Sequence, residues 1–193
     1  VLPTSGSKEA VFHLPLAAID PAAPDRTVIF PDPSYPAYER GTLFAGGQPH
    51  AVPLPADWRF RPWELDPALL ARTRILFINS PHNPSGAVAD LDDLRRTHQL
   101  CLDHDILLVA DECYADMYDH QAPPSLLEVG LDNVLVIHSL SKRSGMTGYR
   151  SGFLAGDPRW IQLLAELRTN PGVAPQDFVN AAAAAAWSDD AHA

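Results

Sequence analysis

The sequence predicts an α/β fold, three layers deep around a mainly parallel sheet. Short apolar runs rich in Val, Ile, Leu and Phe recur along the chain, amphipathic helical patterns separate them, and the composition is that of a globular domain. The runs are Thr27–Phe30, Ile75–Ile78, Ile106–Ala110, Val134–Ile137 and Gly152–Ala155. Each is continuous rather than alternating, as expected of strands covered on both faces.

Helices are read between them. From Asp90 onward, Leu91, Leu94, His98 and Cys101 recur at helical spacing, and Asp157-Pro158 opens a second pattern carrying Trp160, Leu163, Leu164 and Leu167. The run Ala181–Ala186 reads as a tightly packed helix, because Ala is the strongest helix former. The first residues, "VLPTSGSKEA", read as the end of a strand entering a helix. The 19 prolines are assigned to loops, chiefly Pro31–Pro36, Pro49–Pro62 and Pro81–Pro84. Both ends read as cuts, since the chain opens without Met and "NAAAAAAWSDDAHA" stops inside or just after a helix.

Composition narrows the function classes. At 193 residues, with 46% hydrophobic and 20% charged content, the chain can bury a substantial core, which argues against disorder and coiled coil. The formal charge of −10 is spread without a basic cluster, so nucleic acid is a poor partner. Cys101 and Cys113 have no metal-ligand spacing and read as buried thiols of a reduced, cytoplasmic protein, with no metal site. No apolar stretch reaches the length of a membrane span, and the N-terminus has no signal pattern, so no membrane partner is expected.

Three apolar runs finish in different reactive side chains. The Ile75 run leads to "NSPHNPSG" with Asn83, the Ile106 run to Asp111, and the Val134 run to Lys142. In an open parallel sheet the carboxyl ends of the strands form one rim where ligands bind, so an amide, a carboxylate and an amine should converge. "TSGSKEA" adds a Gly-containing turn opening a helix, whose free N–H groups can hold an anion; an ordinary N-cap at Ser5 or Ser7 would look the same. Taken singly, Asp111 could be a cap and Lys142 a solvated amine. Together with Ser139, Ser141 and Arg150 they match the needs of pyridoxal 5'-phosphate. Its aldehyde takes a lysine as a Schiff base, its ring nitrogen needs a carboxylate, its phenolic oxygen needs donors, and its phosphate needs an Arg and backbone amides.

In order and spacing, "SGSKEA", "PSYPAY", "SPHNPSG", "DECYADMY" and "SLSKRSGMTGYRSGF" resemble the class I aminotransferases of the pyridoxal phosphate fold type I superfamily. The resemblance implies that Lys142 is the Schiff-base lysine and proton-moving base, and that Asp111 pairs with the pyridinium nitrogen. It assigns Asn83 and Tyr114 to the phenolic oxygen and Tyr35 to the ring face. Gly6, Ser7 and Lys8 would contact the phosphate, with Ser139, Ser141 and Arg150 completing that cradle. Tyr38 is read as either a packed helix aromatic or a site residue, Arg143 as a surface residue or one behind the contact layer, and His82 and His138 as packing or hydrogen-bonding residues. Pro81 and Pro84 stand where cis bonds would help aim Asn83.

Within the superfamily, "SGSKEAVFHLPL", "DECYADMY", "SLSKRS" and the ending "AAAAAAWSDDAHA" are most similar to N-succinyl-diaminopimelate aminotransferases of lysine biosynthesis. This implies amino transfer between glutamate and a 2-oxo acid by a homodimer. Residues 1–193 would be the large cofactor-binding domain, lacking an N-terminal segment and the C-terminal small domain with its arginine for the substrate α-carboxylate. Alternatives are an aspartate, alanine or other amino-acid aminotransferase, a C–S β-lyase on the same cofactor, and a non-catalytic aminotransferase-like regulatory domain.

Overall fold

The computed structural model describes residues 1–193. Its strands are β1 (Leu2–Thr4), β2 (Thr27–Asp32), β3 (Gln48–Pro53), β4 (Thr73–Asn79), β5 (Leu107–Asp111), β6 (Val134–Ser139) and β7 (Gly152–Gly156). Its helices are α1 (Ser7–Ala18), α2 (Ala37–Phe44), α3 (Pro67–Leu70), α4 (Leu91–Asp103), α5 (Leu140–Arg143), α6 (Pro158–Arg168) and α7 (Asp177–Trp187). The strands form one seven-stranded sheet in the order β1-β7-β6-β5-β4-β2-β3. β2 to β6 run parallel, while β7 is antiparallel to both β6 and β1.

Alternate residues of the central strands feed two separate cores, one on each face. Ile75, Phe77, Leu107, Val109, Leu135 and Ile137 pack with Val11 and Leu14 of α1, Tyr38 of α2 and Trp160 and Leu164 of α6. Leu76, Ile78, Leu108, Ala110, Val134 and Val136 face the other way, onto Leu69 and Leu70 of α3 and Leu94 and Cys101 of α4. This is why those runs are apolar at every position rather than every second one. Three layers result, as the sequence predicts.

The helix starts follow from local chemistry. Asp90 caps α4 by accepting from Asp93 N at 2.8 Å, and Asp157 caps α6 by accepting from Arg159 N at 2.9 Å ahead of Pro158. The Arg159 guanidinium, with the N–H groups of Asn133 and Arg159, holds the Asp157 carboxyl down at about 2. No helix is long and apolar enough to cross a membrane.

The proline assignment needs correction. Pro31 lies inside β2, and Pro49 and Pro53 lie inside β3, a strand the sequence reading placed in a loop. β3 pairs only with β2, at the sheet edge, where a missing N–H costs no ladder bond. Ser80–Pro81 and Asn83–Pro84 are cis, as is Asp32–Pro33, which the reading did not single out.

Two features generate tests. Gly156 ends β7 at φ 143°, and a Cβ there would lie 2.1 Å from Val134 O. Gly156→Ala should therefore lower the unfolding free energy by about 2 kcal/mol or more, read as a reduced urea midpoint; an unchanged midpoint would contradict the close approach. Cys101 is fully buried, and burial pushes its thiol far above its ordinary value of 9.0. An unfolded thiol loses its proton near 9 while the folded one keeps it, so folding binds the extra proton and stability falls as pH rises past that point. Cys101→Ala should flatten that decline by up to ~1.4 kcal/mol per pH unit, measured by urea unfolding between pH 7 and 10.5. A decline equally steep in the variant would count against it.

Candidate active site

β4, β5 and β6 end side by side at Asn79, Asp111 and Ser139. β7 starts opposite β6, with Ser139 paired to Gly152 and Gly152 paired in turn to Thr4 at the end of β1. The antiparallel course of β7 and β1 therefore brings the 140–151 loop and the Ser5–Lys8 turn to the same rim as Asp111. An open cleft of about 480 Å³ lies there. Of the residues singled out from sequence, Ser7, Lys8, Tyr35, Asn83, Asp111, Tyr114, Ser139, Ser141, Lys142 and Arg150 all line it. Gly6 stands just behind, where a Cβ would fall 2.3 Å from Arg150 Nη2.

Asp111 sits at the cleft floor with 6% of its surface exposed. One carboxylate oxygen accepts from Tyr38 Oη at 2.7 Å and the other from Cys113 N at 3.3 Å. Tyr38 is fully buried and stacked on Phe77 at 4.6 Å between centroids. Burial, and then the Asp111 charge it donates to, hold its phenol proton well above the ordinary range, so Tyr38 remains a donor. The structure thus decides between the two readings of Tyr38: it is a packed helix aromatic whose hydroxyl also braces the buried carboxylate. Burial and the same carboxylate push the Cys113 thiol up, which makes it a neutral wall rather than a nucleophile.

The amide side of the cleft is built through Asn79. Its Nδ2 donates to Asp111 O at 2.9 Å, and its Oδ1 accepts from Asn83 N at 2.7 Å, so one side chain couples the end of β5 to the loop that carries Asn83. Asn79 is the first Asn of "NSPHNPSG", but its role was not read from the sequence. His82 beside it bonds Ser85 Oγ at 2.7 Å and Pro33 O at 2.9 Å, matching the hydrogen-bonding role expected of it. Tyr35 stands edge-on to Tyr38 at 6.0 Å, with Lys8 Nζ 5.6 Å from its ring centre.

Ser139 caps α5, its Oγ accepting from Ser141 N at 3.2 Å, so the lysine turn begins immediately where β6 ends. Lys142 is exposed to the cleft, with Nζ 5.4 Å from the centre of the Tyr114 ring. Arg150 reaches Thr147 O at 3.1 Å and Ser141 Oγ at 3.5 Å from a left-handed backbone (φ 51°). Gly6 (φ 78°) stands at the N-cap of α1, and no side chain caps the helix. Neither Ser5 nor Ser7 is an N-cap, which leaves the first amides of α1 without a side-chain cap and open to an anion.

Of the two placements read for Arg143, the structure shows the one behind the contact layer. Only 4% of its side chain is exposed, and it ties the lysine turn to the end of α7 through Ala186 O at 2.8 Å and Asp190 at 2.5 Å. Its guanidinium also faces Asp116 at 3.6 Å and the Trp187 ring at 5.0 Å. Glu112, unremarked in the sequence, is buried beside Asp111 and accepts from Leu126 N at 2.8 Å and Ser125 Oγ at 2.9 Å, with His138 Nε2 at 3.1 Å. These links fix the loop after β5 against β6.

Comparison with known proteins places this geometry. The chain is 40% identical over 195 residues to LL-diaminopimelate aminotransferase 2 of Trichormus variabilis, an alignment covering 98% of the chain and 49% of that protein. Among solved structures, an aminotransferase from Neisseria meningitidis superposes with a TM-score of 0.94 at 33% identity, covering 98% of this chain and 50% of that one. A probable N-succinyldiaminopimelate aminotransferase from Thermus thermophilus superposes with a TM-score of 0.79 at 29% identity, covering 89% and 45%. The chain spans about half the length of the curated relatives it matches. The model of the family "Aminotransferase class I and II" matches residues 1–193, and the chain belongs to that family.

Proposed function

We propose that residues 1–193 form the large, cofactor-binding domain of a pyridoxal phosphate-dependent aminotransferase. The observation that carries the reading is the convergence of a cleft-facing amine, Lys142, and a buried, braced carboxylate, Asp111, on one rim that also presents an anion cradle. The cradle fits the phosphate in a testable way. Gly6 leaves room for Arg150 to lie against the α1 turn where a Cβ would collide with it, and the first amides of α1 carry no cap.

Pyridoxal phosphate, when bound, supplies an aldehyde for amine exchange and a conjugated ring that accepts the electron pair released at a substrate α-carbon. In this reading Lys142 would supply the amine for that aldehyde and, in its neutral form, would move a proton at the substrate α-carbon. Asp111 would hold the ring-nitrogen proton, with Tyr38 keeping that carboxylate oriented. Asn83 and Tyr114 would donate to the cofactor's phenolic oxygen, Tyr35 would lie over its ring, and Gly6, Ser7, Lys8, Ser139, Ser141 and Arg150 would hold its phosphate.

For the substrate, the reading is amino transfer between an amino acid and a 2-oxo acid, of the diaminopimelate class in lysine biosynthesis, by a homodimer. Two observations support different members of that class. The curated relative named above is an LL-diaminopimelate aminotransferase, whereas the structural neighbour from Thermus thermophilus is a probable N-succinyldiaminopimelate aminotransferase. Assaying the full-length protein with LL-diaminopimelate and with N-succinyl-LL-diaminopimelate, each with 2-oxoglutarate, decides between them. Release of pyruvate and ammonia from cystathionine without amino transfer would replace the aminotransferase reading with a lyase.

Two substitutions test the core of the assignment. Lys142→Ala should abolish the borohydride-fixable absorption band and lower transamination by at least ~100-fold, with the fold intact by circular dichroism. Undiminished turnover would remove Lys142 from its role. Asp111→Asn should keep the band but cost roughly 100-fold or more in kcat. Tyr38→Phe, which takes away a donor to that buried charge, should cost about 1.5–3 kcal/mol of stability.

A further inference from the structure

Behind the anion cradle lies a buried ion pair that the chemistry above does not use. Glu9, at the third position of α1, is 7% exposed at its side chain, and its Oε2 accepts from Ser5 N at 2.5 Å. That bond fixes the turn immediately ahead of Gly6. A carboxylate in a first helical turn is ordinarily favoured by the helix dipole. Here the same turn presents its free amides to a phosphate, so two anions would share one helix end and repel each other.

Arg168, the last residue of α6, supplies the missing charge. Its side chain is 12% exposed, Nε lies 2.7 Å from Glu9 Oε1, and Nη1 donates to Pro3 O at 2.7 Å. Nε is off the hydrogen-bond line to Glu9, and Nη2 is buried with no partner, so the contact acts as charge on charge. A buried guanidinium left with so few hydrogen bonds depends on its counter-ion.

We propose that Arg168 is a positioning residue of the phosphate site: it cancels the charge of Glu9, so that a carboxylate can brace the Ser5–Lys8 turn without repelling the phosphate held there. The inference rests on the pyridoxal phosphate reading and deepens it. The pair makes no contact with the reacting end of the cleft, so its effect is on affinity for the phosphate rather than on proton transfer.

The test titrates full-length protein with pyridoxal phosphate and with pyridoxal, which lacks the phosphate, following the absorption change on joining Lys142. Glu9→Gln keeps an acceptor for Ser5 N but removes the charge, and should tighten pyridoxal phosphate by roughly three- to tenfold while leaving pyridoxal unchanged. Arg168→Gln should weaken pyridoxal phosphate by a similar factor, again without moving pyridoxal, and the double variant should return close to the parent. Weaker or unchanged pyridoxal phosphate binding in Glu9→Gln overturns the proposal, as does an equal loss for both ligands in Arg168→Gln, which marks a merely structural role. Should Arg168→Gln fail to fold, the sign of the Glu9→Gln effect still decides. A parent protein that joins neither ligand at Lys142 overturns the cofactor reading itself, an outcome distinct from either failure above.

Discussion

The constraint on which the rest of the structure depends is the meeting of three backbones at Gly152. This residue pairs with Ser139 on one side and Thr4 on the other, and a Cβ here would lie 2.4 Å from His138 O and 3.2 Å from Ser7 N. A parallel β7 would bring the 140–151 loop to the far edge of the sheet. Running antiparallel, it brings Arg150 back to the rim at which β6 releases Lys142. The phosphate-side turn, the lysine turn and the guanidinium are thus registered by strand pairing rather than by side-chain contact, and only a residue without a Cβ allows the approach.

Charge is arranged across the cleft in a matching way. Asp111 is the carboxylate of the cleft floor, whereas Lys8, Lys142 and Arg150 occupy the mouth and the cradle. Burying a lone carboxylate is costly unless it is bonded to donors. Tyr38 and the Cys113 amide meet that need from below, leaving the upper side of the group facing the cleft. The burial that raises the Tyr38 phenol also guarantees that it donates and never competes as an anion.

What was legible in the sequence follows from what is local. Strands covered on both faces announce themselves as apolar runs: the predicted runs fall within β2, β4, β6 and β7, and β5 starts one residue late, at Leu107 rather than Ile106. β3 was hidden because an edge strand with half-exposed faces can carry Pro49 and Pro53, residues that otherwise signal a loop. At the site, Asn79, Cys113 and Thr147 line the cleft without being read as site residues, while Asn83, Asp111 and Lys142 follow apolar runs and so are visible. The supports are not: Tyr38 reaches Asp111 across 73 positions, and Arg168 reaches Pro3 across 165. No spacing rule connects residues that far apart. Arg143 is legible only in part, since a cation beside a lysine in a Ser- and Gly-rich turn reads equally as solvated or as set behind the contact layer until α7 folds over it.

The supporting layer also explains how the rim can hold strained backbone. Arg150 sits in the left-handed region at φ 51° and ψ 56°, a conformation that costs a non-glycine residue about 1–2 kcal/mol. The loop carrying it is short and is anchored at both ends. Leu140 N and Met146 N bond to Ser151 O and Leu140 O, Thr147 Oγ1 donates to Ser141 O, and Arg143 fastens the turn to α7. With so little freedom left between β6 and β7, the guanidinium is delivered to the cradle by the fold, and its strain is offset by the bonds that anchor the loop. A ligand then meets an arginine already in place, so that less binding energy is lost to ordering it.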